Sequence, residues 1–401
     1  MLDYLSYILF FALLIVFIIY IYIRLKYGFW VIQPVFHVYD FSYMFNSPGI
    51  IQDSLPDKNK YTNFKDIETI VFSDLTSIQK TRFTNLIKTN YLQNKDNIFS
   101  PKSENIIPYF IGHNDKSFVS FFYEDNHMID LKKGTMITDR KIVGAMTSRP
   151  LHVIINNDKK NINTKFRMYY VDYLCVDKLH RKKGIAPQII QTHHYNQRHI
   201  NKNITISLFK REDELTGIVP LCVYSTYGFH VDKWTKPLDL SSEYKLLEIN
   251  AQNFRFLYDF IQINNNKFDI IINTEVTNIL ELIKTKNIFI YVILCDENIQ
   301  CCYFYRKSCV QIEKGLEVLS CFGSICHCNE DIFIQGFKIS FWKIAAENYF
   351  GFSAIENLSH NNIIINNIIL KTKPLIVSPT AYFFYNFAYP TFNSQKVLII
   401  N

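Results

Sequence analysis

Residues 169–188, YYVDYLCVDKLHRKKGIAPQ, constrain the fold more than any other stretch. The aromatic and β-branched start predicts a strand. It passes into Arg181-Lys182-Lys183-Gly184-Ile185-Ala186, and then into a segment whose periodicity predicts a helix over about 184–199. A strand that feeds a helix through a basic glycine turn is a βα unit, and its strand needs a sheet to join. Gly184 lets backbone approach a ligand closely. Free N–H groups at the helix start favour an anion, and Lys182 and Lys183 add charge. An anion-binding turn on an α/β framework is therefore expected.

The second constraint lies at the start. Residues 4–23, YLSYILFFALLIVFIIYIYI, carry no charge. As a helix at 1.5 Å per residue they would reach about 30 Å, the thickness of a bilayer core. Tyr20, Tyr22 and Trp30 lie near one end, where interfacial aromatics belong. The basic n-region and small-residue cleavage site of a signal peptide are absent. Residues 1–26 are thus expected to form one transmembrane anchor. Asp3 precedes the run while Arg24 and Lys26 follow it, which predicts a single-pass protein with its body facing the cytoplasm. Nine cysteines, an odd number crowded after residue 295, do not suit a disulfide framework. Cys321, Cys326, His327 and Cys328 lack the paired spacing of a zinc site, so buried reduced thiols and no metal are expected. The net charge of +7 over 401 residues suits an anionic ligand or a membrane surface and is too mild for nucleic acid.

The remaining pattern alternates. A helix is expected over 73–91, capped by Ser73 or Asp74, with Ile78, Phe83, Leu86 and Ile87 as its apolar stripe. Strands are expected over 117–123, 134–138, 141–148, 151–155, 166–176, 204–209 and 221–224, with a turn at 156–164. After a polar connector come a helix over 250–264, strands at 288–294 and 301–306, a helix at 336–350, and strands at 352–356 and 381–387. This predicts an α+β or mixed α/β chain of two similar halves, 27–240 and 241–401. Residues 27–60 read as an extended arm. His193, His194 and His199 lack zinc-helix spacing and read as solvent-exposed. His37 and Asp40 read as local packing or hydrogen bonding. NNIIINNI at 361–368 reads as compositional bias.

The form R-x-x-G-x-A at 181–186, with YSTYGF and its Tyr224 downstream, resembles the coenzyme A pyrophosphate loop of the GNAT acyltransferase superfamily. Four further ordered segments resemble one branch of it, the N-myristoyltransferases (glycylpeptide N-tetradecanoyltransferases). They are Tyr27-Gly28-Phe29-Trp30-Val31-Ile32-Gln33-Pro34-Val35; Asn90-Tyr91 with Asp96-Asn97-Ile98-Phe99; Asp172-Tyr173-Leu174-Cys175-Val176-Asp177-Lys178 with Ala186-Pro187; and Tyr382-Phe383-Phe384-Tyr385-Asn386-Phe387 with Pro390 and Lys396-Val397. The resemblance covers roughly 27–401 and thins between 230 and 350.

It implies two GNAT-like halves forming a saddle-shaped sheet with flanking helices. The first half would bind acyl-CoA, with myristoyl-CoA as cosubstrate and no prosthetic group. The second would shape the groove for an N-terminal glycine peptide. Acyl-CoA contacts would come from Tyr27, Phe29, Trp30, Val176, Arg181, Lys182, Lys183, Gly184, Ile185, Ala186 and Pro187. Tyr91, Phe99 and Asn357 would face the peptide. The backbone N–H groups of Tyr173 and Leu174 would form an oxyanion hole, and a C-terminal carboxylate, here that of Asn401, would act as base. The protein would be a monomer.

Departures fall on the acceptor side. The family's acidic run is Gln93-Asn94-Lys95, its strand asparagine is Asp172, a threonine position falls near Lys210, and the aspartate of a late A-L-D-L-x-E-N stretch is matched with Asn357. The tail is one residue shorter, and one residue of strand is about 3.3 Å. Two rival readings follow: a GNAT-type acetyltransferase with Tyr224 as general acid, and a catalytically degenerate acyl-CoA or acyl-peptide binder.

Overall fold

The computed structural model describes residues 2–26, 28–45, 48–92, 97–130, 135–157, 162–212, 217–231, 234–312 and 315–401. The first part of the chain runs α1 (Leu2–Lys26), α2 (Phe41–Phe45), β1 (Gly49–Ile50), β2 (Ile67–Val71), α3 (Ser77–Asn90), β3 (Asn97–Phe99), α4 (Ser103–Ile106), β4 (Phe118–Asp130), β5 (Thr135–Asn157), β6 (Ile162–Val176), α5 (Ile185–Ile200), β7 (Ile206–Glu212) and β8 (Cys222–His230). The second runs β9 (Tyr244–Glu248), α6 (Phe254–Ile263), β10 (Ile270–Asn273), α7 (Val276–Lys284), β11 (Ile288–Cys295), β12 (Asn298–Ile312), β13 (Leu316–Cys326), α8 (Glu330–Asn348), β14 (Phe350–Glu356), α9 (Asn361–Ile369), β15 (Ile376–Tyr385), β16 (Phe387–Ala388) and β17 (Val397–Ile400).

One mixed sheet of 15 strands carries the architecture, in the order β17-β10-β5-β6-β7-β15-β8-β14-β13-β12-β11-β9, with β4 beside β5, β2 beside β4 and β3 beside β12. Strands from late in the chain sit between early ones. β10 pairs with β5, and β15 lies between β7 and β8. The main core holds Phe83, Phe121 and Tyr173 together with Ile290, Leu398 and Ile400, so early and late segments share one interior.

Two features position the site. Strands β6 and β7 run parallel but pair only from Met168↔Ile206 to Val171↔Phe209. Beyond Val171 they part, and the free edge of β6 faces a cleft. On its other edge, β6 bulges: Ala145 pairs with Cys175 and Thr147 with Asp172, which sets Met146 opposite both Tyr173 and Leu174. Tyr173 takes φ +47° there, a conformation that costs energy for a side chain of this size.

Several elements differ from the pattern expected above. The first helix starts at Ser77, because Thr76 and Gln79 form a reciprocal capping box; residues 72–74 make a tight 3-10 turn instead. The segments 141–148 and 151–155 are one strand, β5. Its Pro150 is tolerated although β6 lies alongside. The tract at 361–368 is no mere compositional bias. It forms α9, which buries Ile364, Ile365 and Ile368, and Asn361 binds the carbonyls of Cys321 and Glu356. His193 and His194 are buried, not exposed, because they lie on the sheet-facing side of α5. Tyr27, Gln93, Asn94 and Lys95, residues 158–161 of the expected turn, and Gly134 lie outside the described residues.

The expected transmembrane anchor needs correction. Residues 2–26 form α1, and its described side chains point outward on every side. Yet among the described residues no helix is long and apolar enough to cross a membrane. The single-pass, cytoplasm-facing placement rested on that span and is withdrawn with it.

Candidate functional site

The cleft opened by the parting of β6 and β7 holds a cavity of about 560 Å³. Val171, Asp172, Tyr173 and Leu174 line one wall, and Ser207, Phe209, Lys210, Arg211 and Glu212 the other. Ile190, His193, His194 and Gln197 of α5 close one side, with Trp30, Tyr91 and Tyr385. Trp30 stacks on Phe209 at 5.7 Å, and Tyr91 meets Tyr173 at 5.6 Å between ring centroids. Part of this wall is polar but neutral. His193 sits between the hydroxyls of Ser120 and Ser148 at 2.9 and 2.8 Å, and burial pushes its imidazole down to about 4. Burial, reinforced by Arg198, lowers His194 to about 3.

The basic turn lies at the N-terminus of α5, the helix that lines the cavity. Lys182 and Gly184 have φ +64° and +74°. A side chain at 184 would meet no atom within 4 Å, so glycine is required there for its backbone conformation and not for space. Lys182 and Lys183 are exposed, whereas Arg181 is committed: its guanidinium donates to the carbonyls of Val176 and Asn90 at 3.2 and 2.6 Å. It ties the turn to β6 and α3. Gly144 of β5 serves the same arrangement from below. A Cβ on it would come within 2.7 Å of Ile189 Cδ1, so its absence lets α5 lie close on the sheet.

At and behind the cleft is a group of charges, buried at Glu356 and Arg149 and half-buried at Asp172, Lys210 and Arg306. Glu356, only 4% exposed, accepts from Tyr224 Oη at 2.7 Å, from Arg306 at 3.2 Å and from Lys210 at 3.5 Å. Burial alone would raise its pKa, but Lys210, Arg306 and the Tyr224 hydroxyl together hold it below the usual carboxylate value. Asp172 interacts with Arg149, Arg306 and Lys210, and burial still raises its carboxyl above the usual value. Arg149 is 1% exposed, with its guanidinium over the rings of Tyr109 and Tyr170, and its Nε and Nη1 have no partner. Strand β17 carries Asn401 to this group. Ile400 pairs with Asn273, and Asn401 Oδ1 accepts from Arg306 at 3.5 Å while remaining 1% exposed.

Three comparisons place this geometry among known proteins. No family model matches the chain. The structure superposes on Saccharomyces cerevisiae N-myristoyltransferase with bound myristoyl-CoA with a TM-score of 0.70 at 12% identity, covering 92% of this chain and 94% of that one. It superposes on a tandem GNAT protein from the clavulanic acid biosynthesis pathway with a TM-score of 0.51 at 9% identity, covering 81% of this chain and all of that one. In sequence, the chain is 28% identical over 174 residues to glycylpeptide N-tetradecanoyltransferase of Plasmodium falciparum. The fold is that of the N-myristoyltransferases, and part of the sequence is similar to one of them. That alignment takes in 42% of this chain and 38% of the Plasmodium relative, well under half of either.

On this N-myristoyltransferase-like fold, the residues singled out from the sequence divide into groups. Trp30, Tyr91, Tyr173 and Leu174 line the cavity. Lys182, Lys183, Gly184, Ile185, Ala186 and Pro187 form the turn and first helical residues beside it, and Val176 anchors Arg181. Phe29 packs on Trp30 and Tyr61 outside the lining, and Phe99 packs behind Tyr91. Asn357 has its amide oxygen buried without a partner. Tyr224 is 4% exposed, outside the cavity lining, and donates to Glu356. Among the described residues no group of His, Cys, Asp or Glu is placed to hold a metal ion. Sequence reasoning missed Arg149, Arg306 and Glu356. Their signal is a charge next to or inside an apolar or aromatic run, as at Arg306 in CYFYRKS and Glu356 in FSAIEN.

Proposed function

We propose that this protein is an N-acyltransferase that moves a fatty acyl group from acyl-CoA to the N-terminal glycine amine of a peptide. The observation that carries the reading is the apolar cleft between β6 and β7, which ends against the bulged backbone of Tyr173 and Leu174 beside a basic helix-opening turn. The acyl chain occupies the cavity, which offers far more room than a two-carbon acetyl group takes. The exposed Lys182 and Lys183 and the free N–H groups at the start of α5 hold the pyrophosphate. The N–H groups of Tyr173 and Leu174 receive the oxyanion that develops on the thioester oxygen, an effect worth a few kcal/mol per donor.

The nucleophile must be a neutral amine, and an α-amino group titrates near 8, so a modest base suffices. In a chain that ends at Asn401, the α-carboxylate of that residue takes that proton. The charges of this group support this assignment: Arg149, Lys210 and Arg306 outnumber Asp172 and Glu356, and a carboxylate at Asn401 restores balance. As the amine nitrogen bonds to the acyl carbon, the carbon–sulfur bond breaks and coenzyme A leaves with its sulfur. Tyr91, Phe99 and the Asn357 amide, whose oxygen has no partner, contribute to the acceptor side. Tyr224 is a partner of Glu356 in this reading, not an acid for an acetyl transfer.

The test incubates the full chain with myristoyl-CoA and an N-terminal glycine peptide and weighs the product. A peptide heavier by one acyl group, with free coenzyme A released, is expected. Binding without turnover would instead identify a degenerate acyl-CoA binder. Appending one alanine after Asn401 is expected to lower turnover about 100-fold or more, since the base is displaced by about one strand residue. Unchanged turnover removes the carboxylate from the mechanism.

A further inference from the structure

Asp172 Oδ1 accepts the backbone N–H of Tyr173 at 2.8 Å. That N–H is one of the two donors assigned above to the oxyanion, so this inference rests on the acyltransferase reading. A carboxylate oxygen and a thioester oxyanion make the same demand on an amide: a negative oxygen at hydrogen-bond distance. They compete for one donor, and side by side they repel. The side chain also lines the cavity where the thioester would lie.

We propose that Asp172 is a built-in stopper of the oxyanion hole: its carboxylate takes the N–H of Tyr173 and turns away when the acyl carbonyl enters. The fold supplies a place for it to turn to. In the β5–β6 ladder Thr147 pairs with Asp172 and Arg149 with Tyr170, so Arg149 and Asp172 share a face as diagonal neighbours. The Nε and Nη1 of Arg149 are buried and lack an acceptor. Lys210 from β7 and Arg306 from β12 face the same carboxylate. Bound thioester therefore moves Asp172 from a backbone donor onto a guanidinium whose Nε and Nη1 lack an acceptor. Asp172 is a positioning residue that controls access to a donor. It does no chemistry itself.

The test uses the full-length protein with two ligands that share a chain and differ only at the carbonyl: myristoyl-CoA and its thioether analogue, S-tetradecyl-CoA. Asp172→Ala removes the competing acceptor. It is expected to tighten myristoyl-CoA about tenfold, the scale of a charge-assisted hydrogen bond, and to leave the thioether unchanged. Asp172→Asn keeps a weaker, neutral acceptor of nearly the same shape and should fall between, even if the alanine variant folds poorly. A merely structural role would move both ligands together. If wild type binds both ligands and neither variant changes their ratio, the stopper is overturned while the acyl-CoA reading stands. If wild type binds neither ligand, the acyl-CoA reading fails and the stopper with it.

Discussion

The two sides of the cleft are built from different materials. The proposed donor side is made of aromatic walls, backbone N–H groups and a glycine turn, with its cations on the surface at Lys182 and Lys183. The proposed acceptor side is made of buried charge: Glu356 held by Lys210, Arg306 and Tyr224, with Asp172 and Arg149 beside them. The contrast teaches where tolerance lies. Exposed lysines can be exchanged at little cost to folding, because solvent already screens them. Buried charges are interdependent, because removing one leaves its partners desolvated and unpaired. The donor side should therefore reveal itself through affinity, and the acceptor side through stability as much as through turnover.

The sharpest challenge to that contrast is Glu356→Ala. Loss of the buried carboxylate leaves the half-buried Lys210 and Arg306 without it, at an expected cost of about 3–5 kcal/mol by urea unfolding. A loss below about 1 kcal/mol would make the cluster no more demanding than a surface pair. Next is acid. His113 and His360 are held at about 4 by burial, as is His193, and His194 at about 3. These values lie below the ~6.5 of an unfolded chain, so the unfolded state binds the extra protons. Stability from the neutral histidines is complete above pH 6.5 and is lost as pH falls toward 4, by up to about 1.4 kcal/mol per pH unit for each. His193→Gln should flatten part of that slope. If the unfolding midpoint is the same at pH 7 and pH 5, these histidines are not buried neutral.

Smaller effects are expected on the donor side. Gly184→Ala forces a side chain into φ +74°, costing about 1–2 kcal/mol, and should weaken CoA binding in the same measurement. Lys182→Ala with Lys183→Ala should reduce CoA affinity roughly tenfold at low salt, less at high salt, with no change in thermal midpoint. Deleting residues 1–26 should leave the unfolding free energy of the body within about 0.5 kcal/mol, because the described side chains of α1 lie exposed outside the core. It should also raise soluble yield, and a large loss of stability would show that α1 packs on the body after all.

Much of the donor side was legible because its requirements are local. A glycine at positive φ, lysines next to it, an aromatic strand before it and an apolar-periodic helix after it are neighbours in sequence, and α5 starts within a residue of the expected position. Element boundaries set by caps were less legible. Thr76 with Gln79 outcompeted Ser73 and Asp74, since only that pair satisfies two helix-end groups at once. The exposure of His193 and His194 was misjudged because it depends on which face of α5 meets the sheet, and Gly144 on a distant strand sets how closely it does so.

By itself the sequence determined the βα unit at 169–188, the alternation that predicts a mixed sheet, and a family resemblance carried by ordered local motifs. These depend on periodicity and on the backbone preferences of single residues, which act over a few positions. Tertiary structure alone decided that β10 would lie beside β5 and β15 beside β7, and hence that charges from β5, β6, β7, β12 and β14 would meet at one point. It also decided that Asp172 would turn onto the N–H of Tyr173. Each lone charge in an apolar strand is costly until its partners are in place. Those partners come from as far as 146 residues away in the chain, beyond the reach of any local pattern.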